Sequence, residues 1–152
     1  MRVGIVGAGY VSTYHLRAVQ TFADAQVVGI VDSDPERARQ MAARFKVAKT
    51  CSSLADLAAE RPEVIHILTP PESHCALTLE ALEMGCHVLV EKPMAATVEE
   101  CDLMIARARE KGLVLSVNHS MCFDPMTTRA LDLVRSGVCG EVLTADYFRS
   151  SD

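Results

Sequence analysis

Three groups of residues have the types and spacing to do chemistry. The first is a glycine turn, Gly7-Ala8-Gly9-Tyr10-Val11-Ser12, directly after the apolar run Val3-Gly4-Ile5-Val6. Gly7 permits a tight strand-to-helix turn, Gly9 lets the backbone approach a pyrophosphate, and the N–H groups opening the following helix face that anion. Ser12 stands where the fingerprint has its third glycine and is small enough for close helix–strand packing. The second is Asp32, followed by Ser33, at the end of the apolar run Val27-Val28-Gly29-Ile30-Val31 and 20 residues past Ser12. A carboxylate there accepts hydrogen bonds from a ribose diol. The third is Glu91-Lys92-Pro93, which closes Val88-Leu89-Val90. When a secondary alcohol gives up hydride it leaves a proton, and a lysine accepts it if its charged form is destabilised. Lys92 is the catalytic candidate, Glu91 a group to orient it or the ribose, and a cis bond before Pro93 suits such a turn.

The elements that must position these residues alternate along the chain. Apolar strands are predicted near 2–6, 26–31, 63–68, 86–90 and 113–117, with a weaker one near 47–50, and helices lie between them. Such alternation predicts an α/β fold, a doubly wound parallel sheet covered on both faces. Asp34 with Pro35, Ser53 with Asp56, and Thr97 with Glu100 are helix starts. Gly85 and Gly112 are helix ends. In the helix from 97 to 111, Val98, Cys101, Met104, Ile105 and Ala108 share one face, predicted to pack on the sheet. Asp34 serves as the cap in Asp32-Ser33-Asp34-Pro35, which leaves Asp32 free for a ligand. Against Asp32, a 2′-phosphate charge ~4 Å away at an effective dielectric of ~20 is repelled by about 4 kcal/mol. NAD is therefore expected over NADP, with Arg37 read as a helix-surface residue.

The chain has 152 residues, 49% of them hydrophobic, and a formal charge of -5. That suffices for one ordinary core and offers no excess of positive charge for nucleic acid. No apolar run reaches the length of a membrane span, so no membrane partner is expected, and the start lacks the pattern of a leader peptide. Cys51, Cys75, Cys86, Cys101, Cys122 and Cys139 include no C-x-x-C pair and read as reduced, buried, small hydrophobes, which suggests the cytoplasm. The histidines are equally dispersed, so no metal site is expected. His66 alternates with Ile65 and Ile67 in a buried strand and reads as a satisfied core or interface histidine. His15 and His119 are weaker site candidates.

Thr69-Pro70 and His74, together with Glu91-Lys92-Pro93, the glycine turn followed by His15, Asn118, Phe123-Asp124-Pro125 and Gly137-x-x-Gly140-Glu141-Val142, resemble the Gfo/Idh/MocA oxidoreductases. The resemblance spans the whole chain, and Glu91-Lys92-Pro93 is its specific part. It implies a Rossmann domain over 1–119 and, over 120–152, a connecting helix and the first strand, Glu141 to Arg149, of an otherwise absent substrate domain. Lys92 is then placed against cofactor and substrate, Thr69, Pro70 and His74 line the nicotinamide side, and Asn118 meets cofactor or substrate. The family's Asp-x-x-x-His pair is missing, so the sequence looks truncated and the chain is expected to bind cofactor with little turnover. Its longer relatives oxidise or reduce a sugar, polyol or similar hydroxyl substrate and often associate through the second-domain sheet, which leaves a homo-oligomer open. A freestanding nucleotide-sensing module is the alternative, and a methyltransferase-type domain a third reading that Glu91-Lys92-Pro93 disfavours.

Overall fold

The computed structural model describes residues 1–146. Six strands form one parallel sheet: β1 (Arg2–Val6), β2 (Gln26–Val31), β3 (Thr50–Cys51), β4 (Val64–Ile67), β5 (His87–Glu91) and β6 (Leu115–Asn118). Their order is β3-β2-β1-β4-β5-β6. The chain builds outward from β1 on one side, then crosses back and builds outward from β4 on the other. That reversal opens a crevice beyond the carboxyl ends of β1 and β4, where sheets of this kind hold ligands. Register does the positioning. Val6 lies opposite both Val31 and Ile67, so the residues that follow each strand, Gly7, Asp32 and Leu68, emerge together. On the far side Glu91 lies opposite Asn118.

Five helices accompany this sheet: α1 (Ser12–Gln20), α2 (Pro35–Phe45), α3 (Leu54–Leu57), α4 (His74–Glu83) and α5 (Val98–Lys111). Alternate residues of a strand must point to opposite faces. Accordingly Val3 and Ile5 join Leu16 and Phe45 in one apolar cluster, whereas Val6 joins Leu57, Ile65, Leu82 and Met104 in the other. Two glycines to which the sequence assigned no role of their own have a packing role there. Gly4 and Gly29 are register partners, and Leu57 sits over both. A Cβ on Gly4 would fall 2.6 Å from Leu57 Cδ2, and one on Gly29 2.5 Å from Leu57 Cδ1.

The predicted caps form. Asp34 Oδ1 accepts from the Glu36 and Arg37 N–H groups, Ser53 Oγ from Asp56 N–H, and Thr97 Oγ1 from Glu100 N–H. Three expectations are corrected. Val98 is 72% exposed: as the first residue of α5 its side chain leans toward the N-terminal end, past the sheet. The weak strand is Thr50–Cys51 rather than 47–50, because only those residues find register partners, Ile30 and Val31. Cys122 and Cys139 are exposed, while Cys51, Cys75 and Cys86 are buried.

The first compact unit is Met1–Asn118, and a second begins at His119. In the second, a 3-10 turn (Ser120–Phe123) precedes α6 (Pro125–Arg135), whose N-cap Asp124 accepts from Met126 and Thr127 N–H. The strand expected over Glu141 to Arg149 is not formed at Glu141–Asp146, and its remainder lies outside the described residues. No segment among the described residues pairs with it, and an unpaired strand leaves its backbone groups without partners. No helix among the described residues is long and apolar enough to cross a membrane.

Candidate functional site

A cleft of about 730 Å³ lies at the carboxyl ends of β1, β2 and β4, lined by Gly7, Gly9, Asp32, Ser33, Thr69 and Pro70 among others. Gly7 has φ +99°, and a Cβ there would sit 2.8 Å from Leu68 O, so both conformation and space require glycine. Gly9 faces open space instead: nothing lies within 4 Å of where its Cβ would be. Behind it, α1 starts with no side-chain cap and no acid in its first turn. Its positive end is therefore not offset by a side chain of its own first turn.

Asp32 is held from several directions. Oδ2 accepts from Ala8 N–H at 2.7 Å, and Oδ1 from Asp34 N–H at 2.8 Å and from Arg37 Nη2 and Nε at 3.0 and 3.2 Å. Burial raises its pKa, but these donors outweigh burial and hold the carboxyl below the usual range. Oδ2 keeps one acceptor direction free, enough for a ribose hydroxyl. Arg37, read from sequence as an idle surface residue, lines the cleft.

The other predicted residues lie elsewhere. Tyr10 and Val11 are exposed at the start of α1 and do not line the cleft. Ser12 is fully buried and donates from Oγ to Gly9 O, so it braces the turn. His74 is fully buried, with Nε2 2.7 Å from Thr69 O and Nδ1 2.9 Å from Pro93 O, so it ties the end of β4 to the end of β5. Lys92 is exposed, precedes a cis bond to Pro93, and its Nζ has no partner among the described residues.

Glu91 and Asn118 belong to a second constellation outside the cleft. Asn118 Nδ2 donates to Glu91 Oε1, and His15 Nε2 lies 3.2 Å from the same oxygen. The Lys92 N–H donates to Glu91 Oε2 at 3.2 Å. Burial raises the pKa of Glu91, and hydrogen bonds from Asn118, His15 and the Lys92 N–H reverse that, holding the carboxyl below its ordinary range. His66 completes the cluster, its Nδ1 3.1 Å from His15 Nδ1. Sequence reasoning ranked His15 and His66 low. A usable signal existed: Ser12, His15, Leu16 and Val19 share the buried face of α1, and a polar ring inside the strand Ile65-His66-Ile67 needs a partner.

Known proteins match this description. The family described as "Oxidoreductase family, NAD-binding Rossmann fold" matches residues 1–119. A 1-carboxy-3-chloro-3,4-dihydroxycyclohexa-1,5-diene dehydrogenase of Comamonas testosteroni is 39% identical over 143 residues, 93% of this chain and 36% of that protein. Among solved structures, the WlbA dehydrogenase from Bordetella pertussis, in complex with NADH and UDP-GlcNAcA, aligns with TM-score 0.85 at 28% identity. That alignment covers 92% of this chain and 44% of WlbA. A variant of a 3-ketoreductase from Actinomadura kijaniata, in complex with TDP-benzene and NADP, aligns with TM-score 0.85 at 27% identity, covering 93% and 44%. The chain thus spans well under half the length of these relatives. With the glycine turn, Asp32 and Glu91-Lys92-Pro93 all on one sheet edge, the chain belongs to the Gfo/Idh/MocA oxidoreductases and carries their Rossmann domain for a nicotinamide cofactor.

Proposed function

We propose that residues 1–119 are the cofactor domain of an NAD-dependent dehydrogenase acting on a sugar, polyol or similar hydroxyl compound. The observation that carries this reading is the meeting of Gly7, Gly9 and Asp32 in one cleft at the carboxyl edge of the sheet. Residues 120–152 are read as the connection toward a substrate domain, which would supply most of the substrate pocket. The family relationship and the dihydroxy compound named for the Comamonas relative support the substrate class.

In this reading Gly7 and Gly9 give the pyrophosphate its approach to the start of α1, and Asp32 Oδ2 accepts from the adenosine ribose. Thr69 and Pro70 line the cleft toward its β4 side. Lys92, exposed and without a partner, holds and moves the proton of the substrate hydroxyl at Nζ. Glu91 anchors the backbone from which Lys92 projects. When bound, the dinucleotide supplies the hydride acceptor or donor. Asp32 favours NAD over NADP by repelling a 2′-phosphate, and Arg37 weakens that preference by compensating its charge.

Side-by-side calorimetric titration with NADH and NADPH, on a chain whose melting curve shows it folded, tests this. Saturable binding that favours NADH is the expected result. A folded chain that binds neither overturns the cofactor assignment for residues 1–119, and a preference for NADPH overturns the role given to Asp32.

A further inference from the structure

The cluster of His66, His15, Glu91 and Asn118 has a directionality that its geometry dictates. Glu91 Oε1 lies 3.2 Å from His15 Nε2, and a bare Nε2 would set its lone pair against a buried carboxylate. Asn118 Nδ2 also lies 3.2 Å from this Nε2, but that amide already donates to Glu91 Oε1; with the carboxylate as the acceptor the ring faces, His15 Nε2 carries a proton, donated to Glu91. A neutral His15 then has a bare Nδ1, so His66 Nδ1, 3.1 Å away, must be the donor between the rings. This leaves His66 Nε2 bare. Among the described residues Thr78 Oγ1 is the only fully buried side-chain nitrogen or oxygen without a partner, so His66 Nε2, which has none, reaches solvent.

The surroundings isolate the path. The register neighbours of His66 on β1 and β4's other partner β5 are Ile5 and Leu89, neither of which ionises. From α1 the facing group is His15, from β5 Glu91 faces His15, and from β6 comes the uncharged Asn118. Lys92 joins through its backbone N–H on Glu91 Oε2.

We propose that His66 and His15 form a two-ring proton relay that carries one proton from solvent to His15, where it pairs with the Glu91 carboxylate, so that the net charge of the cluster beside Lys92 follows pH. A proton binds His66 Nε2, the Nδ1 proton of His66 crosses to His15 Nδ1, and His66 is left neutral with its hydrogen on Nε2. One proton has entered and rests on His15, paired with Glu91; only N–H bonds have formed or broken. Burial, reinforced by the neighbouring His15, pushes the His66 pKa down to about 4, which suits a ring that passes the proton on. The consequence for Lys92 rests on the function proposed above, whereas the relay rests on the rings alone.

Long-range ¹H–¹⁵N correlation NMR of the full chain with labelled histidine, from about pH 8 to about pH 4 and so across the ordinary histidine range, is the test. At the neutral end His66 should show the Nδ1–H form, contrary to the usual preference of free imidazole, and His15 the Nε2–H form. On acidification His15 should become doubly protonated while His66 changes to Nε2–H, at one shared midpoint. An Nε2–H form of His66 at neutral pH, or two separate midpoints, overturns the relay. NADH titration of the same sample reads the proposed function independently, so either can fail alone.

Discussion

Arg37 places both Nη2 and Nε on a single oxygen of Asp32, Oδ1, at 3.0 and 3.2 Å. The acid that meets the ribose in our reading thus carries its own counter-charge, on a guanidinium whose side chain is half exposed. Replacing Arg37 by alanine should expose the full charge of Asp32 to an incoming 2′-phosphate. NADPH binding is expected to weaken relative to NADH by about tenfold, or ~1.4 kcal/mol, in paired calorimetric titrations. An unchanged ratio would show that Arg37 does not moderate Asp32.

His74 ties Thr69 to Pro93 from a fully buried position. His74→Ala removes a fully buried ring and its contacts to the Thr69 and Pro93 carbonyls, a loss of about 2–4 kcal/mol by the usual scale of such changes. A fall in denaturant midpoint checks this. If His74→Ala left stability intact and removed only NADH binding, His74 would be a cofactor ligand rather than a brace.

Leu57 covers the paired glycines of β1 and β2. Gly29→Ala should therefore cost about 1–3 kcal/mol by overpacking, although Gly29 makes no polar contact. The test of cause is a double-mutant cycle. In a Leu57→Ala background the added methyl should cost much less, and strict additivity would exclude Leu57 as the obstacle.

Glu91 is held below the ordinary carboxyl range. A depressed folded-state pKa contributes stability that is present above the unfolded value, ~4.3 for glutamate, and is lost as pH falls through the folded value. The stability gap between the native chain and Glu91→Gln should be widest near neutrality and close as the solution is acidified below that unfolded value. Urea melts at several pH values measure it, and a gap that does not vary with pH would contradict the assignment.

The local signals in this sequence were strong where one segment suffices to make the feature. The glycine turn, the acid closing β2 and the caps at Asp34, Ser53 and Thr97 are all written within a few residues, and the alternation of strands and helices fixes their common edge. What stayed hidden depends on segments far apart in the chain. His15 meets His66 and Glu91 only once α1 is seated on the sheet and β4 and β5 lie side by side, and Leu57 finds Gly4 and Gly29 only after the sheet has formed. Arg37 is on the surface as read, but its ion pair was missed for a simpler reason: from one helical turn beyond Asp34 its half-exposed side chain reaches back to Asp32. The strand expected from Glu141 is not formed over its described part, residues 141–146, where no described segment pairs with it.

The central place of β1 between β2 and β4 also governs the order in which the molecule can assemble. β1 is synthesised before either of its neighbours, and the second of them is made only when synthesis reaches Val64–Ile67. Until then the nascent chain can form only half of its central ladder, and the crossover that brings β4 home must bridge the longest loop-closure distance around β1. In refolding followed by pulsed hydrogen exchange, the amides of β1 should gain protection together with those of β4, not with β2 alone. The same strand that begins the nucleotide cleft would then be the one whose completion commits the chain to its fold.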